Sequence, residues 1–516
     1  MPAPPLSTII ALARAGALEH AWHQFNAAGY GACDHDPAAP AVMGRLLKDR
    51  AVRASSGERR QLYRESADAY LRSAALLPAT YPLINAATLS LLSGDPGQAS
   101  EIARDVLERI AREPEEPETP YWRAATEAEA LLLVGRHDDA RAKLAEAVAA
   151  APRAWEDHGS TLRQFLLIHD ALGLDPAWLE MLRPPRSLFF SGRIGLSDAA
   201  ASEAAEAVAD LIARERIAFG YGALAAGADI VVAEALLESG GELHVVLPSD
   251  PESFARHSVD PYGSVWRERF DAALAAAESV YPVRPLQHRP EGAMIAHADD
   301  VAMGTARLNA ERLLSEACEL VVGTPRSGRR TPEHLIEIGA EPAELVDAPA
   351  DTPSRALHAL VSIAVGDAED SSFAERLDEI RQALQGSRSA IPPFLDGDTV
   401  VVGYSGVADA MHAVRNLHRS LAPLGEVRMA AHVGFTPTVH DPFSAALRPT
   451  EKGTAIVKAV CRAAPPGIIC ASLDFAAALA AATDGPSGAT WIGELRAFDG
   501  GPPVPLYALR LAGSDD

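Results

Sequence analysis

Cysteine is scarce in this 516-residue chain: Cys33, Cys318, Cys461 and Cys470 are the whole complement. No two of them form a Cys-x-x-Cys pair, which argues against a zinc knuckle and for a reducing compartment. Aromatic residues reach only 6%, which disfavours an all-β fold. Basic residues are in deficit, with 46 Lys and Arg against 70 Asp and Glu and a formal charge of -24. Such a surface lacks the clustered cations that phosphate backbones require, so nucleic acid is not the expected partner. No apolar run reaches the roughly 18 residues of a membrane span. The opening "MPAPPLSTIIALARAGALEHAW" lacks the basic stretch of a signal peptide. A cytoplasmic protein with no membrane association is expected.

What is present is 48% hydrophobic and 22% charged. The length suits about three domains of roughly 150 residues. A multidomain fold class follows from the change of pattern along the chain. Residues 1–180 read as an all-α helical-repeat domain. "YPLINAATLSLLSGDPGQASEIARDVL" from Tyr81 and "YWRAATEAEALLLVGRHDDARAKLAEAV" from Tyr121 share one plan. Each has an aromatic start, an Ala/Leu helix, a turn (Gly94-Asp95, then Gly135-Arg136) and a second helix opened by Ala99 or Ala140. Small residues let helices approach closely, and glycine ends a helix at low steric cost. This is the grammar of a tetratricopeptide-type stack. "REPEEPETP" between the repeats reads as a loop.

After the linker "LRPPRS" the period changes. Residues 186–345 alternate strands and helices, as in a parallel sheet covered on both faces. "SLFFSGRIGL", "IAFGYG", "LHVVLP" and "CELVVGTP" read as strands, Asp198–Arg214 and Ile230–Glu238 as helices. Residues 354–516 read as an α+β domain with a Gly397-Asp398 turn entering a strand. "GDAEDSSFAE" and "LQGSRSAIPP" read as loops within it.

The order Ser191-Gly192-Arg193, Gly220, Gly222, Ala223, Ala226, Gly227, Asp229, then Gly240-Gly241 and "LHVVLP" with Pro248, resembles the SLOG superfamily of Rossmann-like domains. The resemblance implies that Ser191, Gly192, Arg193, Gly220, Gly222, Ala223, Gly227, Asp229 and Pro248 bind a nucleotide or nucleotide derivative. Small residues let a ligand approach the backbone, and a helix N-terminus offers free N–H groups to a phosphate. Arg193 and Arg267 would add charge. The competing reading makes Ala225–Asp229 a tight helix start with Asp229 as its cap. Hydrolysing relatives carry a Gly-Gly-x-Gly-Thr-x-x-Glu run, which this sequence lacks. Glu234 is the best acid there, and an exposed helix carboxylate is its simpler reading.

"DGDTVVVGYSGVADAMHAV", "VRMAAHVGF", "GTAIVKAVCRAAPPGIICAS" and "IGELRAFDGGPPVPLYAL" resemble in order the catalytic domain of class III adenylate/guanylate cyclases. That chemistry uses two carboxylates holding two Mg or Mn ions, with an Asn and an Arg stabilising the transition state. The resemblance places one metal ligand at Asp398. The other carboxylate position falls at Ser362, a neutral residue and a poor ligand for a hard cation. The Asn position falls at Val457 or Lys458, the Arg position at Cys461 or Arg462. Arg462 is therefore the candidate transition-state group, and Mg or Mn is expected only if the domain is active. His432, His244 and His257 read as structural or solvated. Asn85-Ala86-Ala87-Thr88 and "YWRAATEAEALLL" resemble the TRAFs-binding region of MAP kinase kinase kinases and its bacterial relatives.

The expectation is a non-catalytic or weakly catalytic signalling protein. It senses a nucleotide-derived ligand, binds a protein partner through its helical repeats and forms a homodimer through the cyclase-like domain. The alternative is an active nucleotide-processing enzyme, either a cyclase or a SLOG-type hydrolase.

Overall fold

The structure, a computed structural model, describes residues 4–14, 17–33, 35–77, 79–112, 119–283, 292–324, 331–338, 356–365, 373–421, 427–441, 446–496 and 503–511. Most of the Pro/Glu loop between the repeats, the loop "GDAEDSS" and the join between the middle and C-terminal segments lie outside them. The chain divides into two compact units, one running to Pro184 and the other from Pro185 to Leu511. Among the described residues no helix is long and apolar enough to cross a membrane.

The first unit is helical: α1 (Leu6–Arg14), α2 (Leu18–Ala27), α3 (Ala38–Arg53), α4 (Ser56–Leu76), α5 (Thr80–Ser93), α6 (Pro96–Arg112), α7 (Pro120–Leu133), α8 (His137–Ala150) and α9 (Trp155–Leu172). Its hairpins α5–α6 and α7–α8 turn in the same way. Gly94 and Gly135 take φ of 96° and 82°. In both turns the next two N–H groups bond back to the helix end: Gly94 to Leu91 and Asp95 to Ser90, then Gly135 to Leu132 and Arg136 to Leu131. The left-handed backbone lets one residue satisfy orphan carbonyls of the ended helix. The second helices begin at Pro96 and His137, three residues before the alanines that were expected to open them. Ala99 and Ala140 sit one turn in and are fully buried, where a larger side chain would push the paired helices apart.

A line of polar side chains crosses the helices α3, α5, α7 and α9. Lys48 Nζ donates to Gln164 Oε1 at 3.2 Å, and Gln164 Nε2 donates to Glu129 Oε1 at 3.1 Å. Thr88 Oγ1 donates to the same Glu129 oxygen at 2.5 Å. Burial raises the Glu129 pKa against the pull of these donors, and burial lowers that of Lys48.

The second unit contains two large sheets. The first is parallel, ordered β4-β3-β2-β1-β5-β6, from β1 (Arg186–Gly192), β2 (Ile217–Gly222), β3 (Glu242–Leu247), β4 (Ser279–Pro282), β5 (Ala317–Val322) and β6 (His334–Ile336). Strand β4 was not anticipated. Helices α10 (Asp198–Arg214), α11 (Ala228–Glu238), α12 (Pro251–Ser258) and α13 (Ser264–Ala276) bury apolar residues against Leu188, Phe190, Leu243, Val245 and Leu320. Helix α14 (Gly292–Leu313) returns the chain from β4 to β5. Strand order reverses beside β1, the kind of switch point at which open α/β sheets offer a crevice.

The second sheet is ordered β14-β15-β13-β10-β7-β9-β8. Its strands are β7 (Leu357–Ala364), β8 (Ile391–Asp396), β9 (Thr399–Tyr404), β10 (Met429–Phe435), β13 (Ile469–Ser472), β14 (Ala489–Leu495) and β15 (Val504–Leu509); β11 (Thr438–Asp441) and β12 (Ala446–Pro449) form a separate hairpin. One face is covered by α15 (Phe373–Ala383), α16 (Val407–Leu421) and α18 (Leu473–Ala482), through Ile380, Met411, Val414, Leu417 and Phe475. The other is covered by α17 (Glu451–Ala463), through Val457, Val460 and Cys461. "SRSAIPP" was expected to be a loop, yet Ile391 opens β8. Pro392 and Pro393 are tolerated because β8 is an edge strand and its pairing with β9 is interrupted between Ile391 and Phe394. The β11–β12 hairpin and α18 were likewise not anticipated.

Candidate functional site

Two places were singled out in the second unit. The first is the carboxyl edge of the parallel sheet. Ser191 and Gly192 end β1, Gly220 and Gly222 end β2, and Ala223 opens the loop to α11. The structure brings these together with Arg193 and Gly227. Arg193 N donates to Val322 O at 2.9 Å and its carbonyl accepts from Ala228 N at 3.0 Å. Gly195 N donates to Ala226 O at 2.8 Å, so the loops after β1 and β2 are stitched to each other.

The glycines here have a packing reason. A Cβ on Gly192 would lie 2.4 Å from Ala228 Cβ and 2.7 Å from Val322 O. One on Gly222 would meet the Phe190 ring at 2.6 Å and Phe190 O at 2.7 Å, and one on Gly220 would meet Leu236 at 2.4 Å. Gly227, at φ 113°, would meet Arg193 O at 2.7 Å. Helix α11 begins at Ala228, two residues earlier than expected, with Gly227 at its cap. Asp229 stands in the first turn, buried, and accepts from Ala225 N at 3.2 Å. A carboxylate in the first turn occupies the charge position that a phosphate would otherwise seek.

Pro248 follows β3 and precedes Asp250, which caps α12 by accepting from Ser253 N at 3.0 Å. Arg267 is committed elsewhere, paired with Glu252, Asp260 and Asp271 at 2.8, 3.2 and 3.1 Å. Glu234 forms a two-pronged pair with Arg269, at 2.9 and 2.6 Å. His244 stacks on Tyr221 at 4.6 Å, and burial pulls its pKa down to about 4. His257 bonds its own helix at Ser253 O, 2.7 Å.

The second place is the β8–β9 turn against α17. Asp398 sits in the turn, and Asp396 ends β8 beside it. Helix α17 answers with two cations one turn apart. Lys458 Nζ lies 2.7 Å from Asp396 Oδ1, and Thr454 Oγ1 donates to Asp396 Oδ2 at 3.1 Å. Arg462 Nη2 lies 3.4 Å from Asp398 Oδ1. The first pair is the more sheltered, with side chains 15% and 30% exposed against 60% and 50% for the second. Lys458 and Arg462 thus share the face turned to the acidic hairpin, while Val457 and Cys461 are fully buried against the sheet. Asp396 completes a constellation in which sequence reasoning had named Asp398, Arg462 and, at the Asn position, Lys458. The i, i+4 spacing of the two cations was the available signal.

Ser362 lies in the centre of β7, between Ala430 of β10 and Val401 of β9, and is fully buried. Strand alternation puts it on the α17 side with Leu360. Cys461 closes over this strand, its Sγ donating to Ser362 O at 3.6 Å, and burial pushes its thiol up to about 11. A neutral thiol and a buried hydroxyl are poor ligands for Mg or Mn. Of the two carboxylates within reach, Asp396 is held in a sheltered pair by Lys458, and Asp398 faces Arg462 across an exposed 3.4 Å contact. Among the described residues no group of three His, Cys, Asp or Glu side chains is placed to hold a metal ion. The residues present do not fit a two-ion centre.

His432 is buried and bonds Ser472 Oγ through Nδ1 at 2.8 Å. Burial lowers its pKa.

Comparison with known proteins adds the following. A family profile described as Tetratricopeptide Repeats-Sensor matches residues 7–90. The helical region at the start of the chain is tetratricopeptide-like. No curated protein matches the chain. Among solved structures, adenylate cyclases of Trypanosoma brucei in their monomeric state are similar at 14% identity, over 32% of this chain and 93% of that one, with a TM-score of 0.23. The adenylyl cyclase CyaB of P. aeruginosa is similar at 16% identity, over 31% and 95%, with a TM-score of 0.24. An O-GlcNAc transferase mutant of Thermobaculum terrenum is similar at 13% identity, over 55% of this chain and 46% of that one, with a TM-score of 0.18.

Proposed function

We propose that this chain is a non-catalytic signalling protein. Its last sheet is a cyclase-like scaffold without turnover, its parallel sheet is a SLOG-like sensor of a nucleotide-derived ligand, and its helical repeats recruit a protein partner. The observation that carries the first statement is the commitment of Asp396 and Asp398 to Lys458 and Arg462, with Ser362 sealed under Cys461. A phosphoryl-transfer centre needs carboxylates free to take cations from solvent. Here the positive charge is supplied by the protein itself, on side chains that cannot bridge a triphosphate to a nucleophile.

The sensor role is supported by the switch point beside β1, with the ligand expected near Ser191, Arg193 and Ala223 at the carboxyl edge. The glycines at 192, 220, 222 and 227 then shape that edge by close packing. The partner role rests on the repeat stack, since stacked helical hairpins present an extended surface suited to a protein ligand. A homodimer through the cyclase-like sheet completes the reading.

The test has two arms on the full chain. Incubation with ATP or GTP and manganese is expected to yield no cyclic nucleotide and no hydrolysis. Thermal-shift titration with ATP, GTP and ADP-ribose is expected to show saturable stabilisation by one of them, weakened by Arg193→Ala. Product formation abolished by Asp398→Ala overturns the non-catalytic reading. Absence of stabilisation by all three overturns sensing of those ligands.

A further inference from the structure

Helix α18 belongs to the second sheet, where Phe475 and Leu479 enter the core. Both of its ends are nevertheless held by elements of the first sheet. Asp474 is buried in its first turn, where a carboxylate suits the helix dipole. The Tyr281 hydroxyl of β4 donates to Asp474 Oδ2 at 2.8 Å, and His297 Nε2 of α14 lies 3.7 Å from Oδ1. Burial raises the Asp474 pKa, but His297, His432 and Tyr281 outweigh it and keep the carboxyl below its ordinary value.

At the other end, Arg307 of α14 donates to the carbonyls of Ala480, Ala481 and Thr483 at 2.9, 3.2 and 2.8 Å. These are the acceptors that a helix end leaves without intrahelical partners. Just beyond, Ser487 donates from N and Oγ to Glu311, both at 2.9 Å. Midway, Gly304 touches Ala477 so closely that a Cβ would lie 1.9 Å from its carbonyl oxygen. His297, Gly304, Arg307 and Glu311 form one stripe of α14, as the heptad-like spacing dictates. Elsewhere on the same helix, Asn309 Nδ2 donates to Ser187 Oγ of β1 at 3.0 Å.

Neither sheet satisfies this seam alone. Without β4 and α14, the interior carboxylate of Asp474 would lose its hydrogen-bond donor and the carbonyls of α18 their cation, both costly. We infer that the seam between α14 and α18 is a fixed coupling joint: the two sheets fold and move as one body. A change at the carboxyl edge of β4 therefore reaches β10 and β13 through α18, by way of the Ser472–His432 bond.

The joint stands on its contacts and does not require the sensor reading. It is tested on the full chain by scanning calorimetry with peptide-resolved hydrogen exchange. Residues 185–511 are expected to unfold in one transition. Gly304→Leu, a wedge at the closest contact, is expected to split it in two. Arg307→Ala removes three hydrogen bonds without steric damage and is expected to raise exchange in both β4 and β13 by about tenfold. Two transitions in the unaltered chain overturn the joint. So does an Arg307→Ala effect confined to α14. If the wedge variant fails to fold, the Arg307→Ala pattern alone decides.

Discussion

Gly192→Ala separates two meanings of a glycine at the end of a parallel strand. If the missing side chain makes room for a ligand, alanine folds normally and only binding suffers. In this structure the space is already filled. The new methyl would sit 2.4 Å from Ala228 Cβ and 2.7 Å from Val322 O, and the second neighbour is backbone that cannot rotate away. Strand β5 and the start of α11 would have to separate by several tenths of an ångström. Overpacking of that kind costs about 1–3 kcal/mol. In a unit of this size each kcal/mol lowers Tm by roughly 1–2 °C. Gly406→Ala is the control, since nothing lies within 4 Å of its added Cβ. Differential scanning calorimetry without ligand is the assay. Gly192→Ala is expected to lower the melting point of the second unit by a few degrees and Gly406→Ala to leave it in place. An unchanged melting point for Gly192→Ala would refute the packing argument.

Ser362→Asp, which restores the carboxylate of the cyclase pattern, is expected to destabilise the chain severely and to restore no turnover, because position 362 is fully buried under α17. Chemical denaturation and the cyclase assay check both parts. Glu129→Ala is expected to cost about 1–3 kcal/mol by stranding its Thr88 and Gln164 donors; Glu129→Gln, which keeps the accepting oxygen, is expected to cost less, as read from denaturation midpoints. Burial, with Arg312 adding to it, holds His244 at about 4 against an ordinary 6.5. The unfolded chain therefore binds the extra proton between these values. Stability is full above pH 6.5 and is lost as pH falls toward about 4. His244→Phe, which keeps the stack on Tyr221, is expected to flatten that slope in denaturation series at pH 7.5 and 5.

The strands and helices that define both sheets were legible because period and turn chemistry agree along "SLFFSGRIGL", "IAFGYG" and "DGDTVVVGYSG". The hidden part was what small residues touch. Glycine at 192, 220 and 222 announces closeness in the sequence, but only the fold says that the close neighbours are Ala228, Leu236 and Phe190. Helix α18 was missed although Ser472-Leu473-Asp474 carries a helix-start signal, a serine cap with an acid in the first turn, because the serine also reads as the end of the apolar strand "IICAS". Its cap, Ser472, is also the last strand residue. The register of α17 could be narrowed from sequence only to two choices. The structure separates them by amphipathicity, with Val457 and Cys461 inward and Lys458 and Arg462 toward the hairpin. Asp474 was unreadable as a joint because its partners, Tyr281 and His297, lie far off in the sequence.

The central claim is that the acidic hairpin is neutralised from within, and manganese binding tests it most directly. Electron paramagnetic resonance titration of Mn²⁺ into the full chain without nucleotide reports free ion as bound ion is lost from the signal. The account predicts superimposable titrations for the unaltered chain and for Asp398→Ala, because Lys458 and Arg462 already occupy the carboxylates. A bound manganese fraction that vanishes in Asp398→Ala would contradict it.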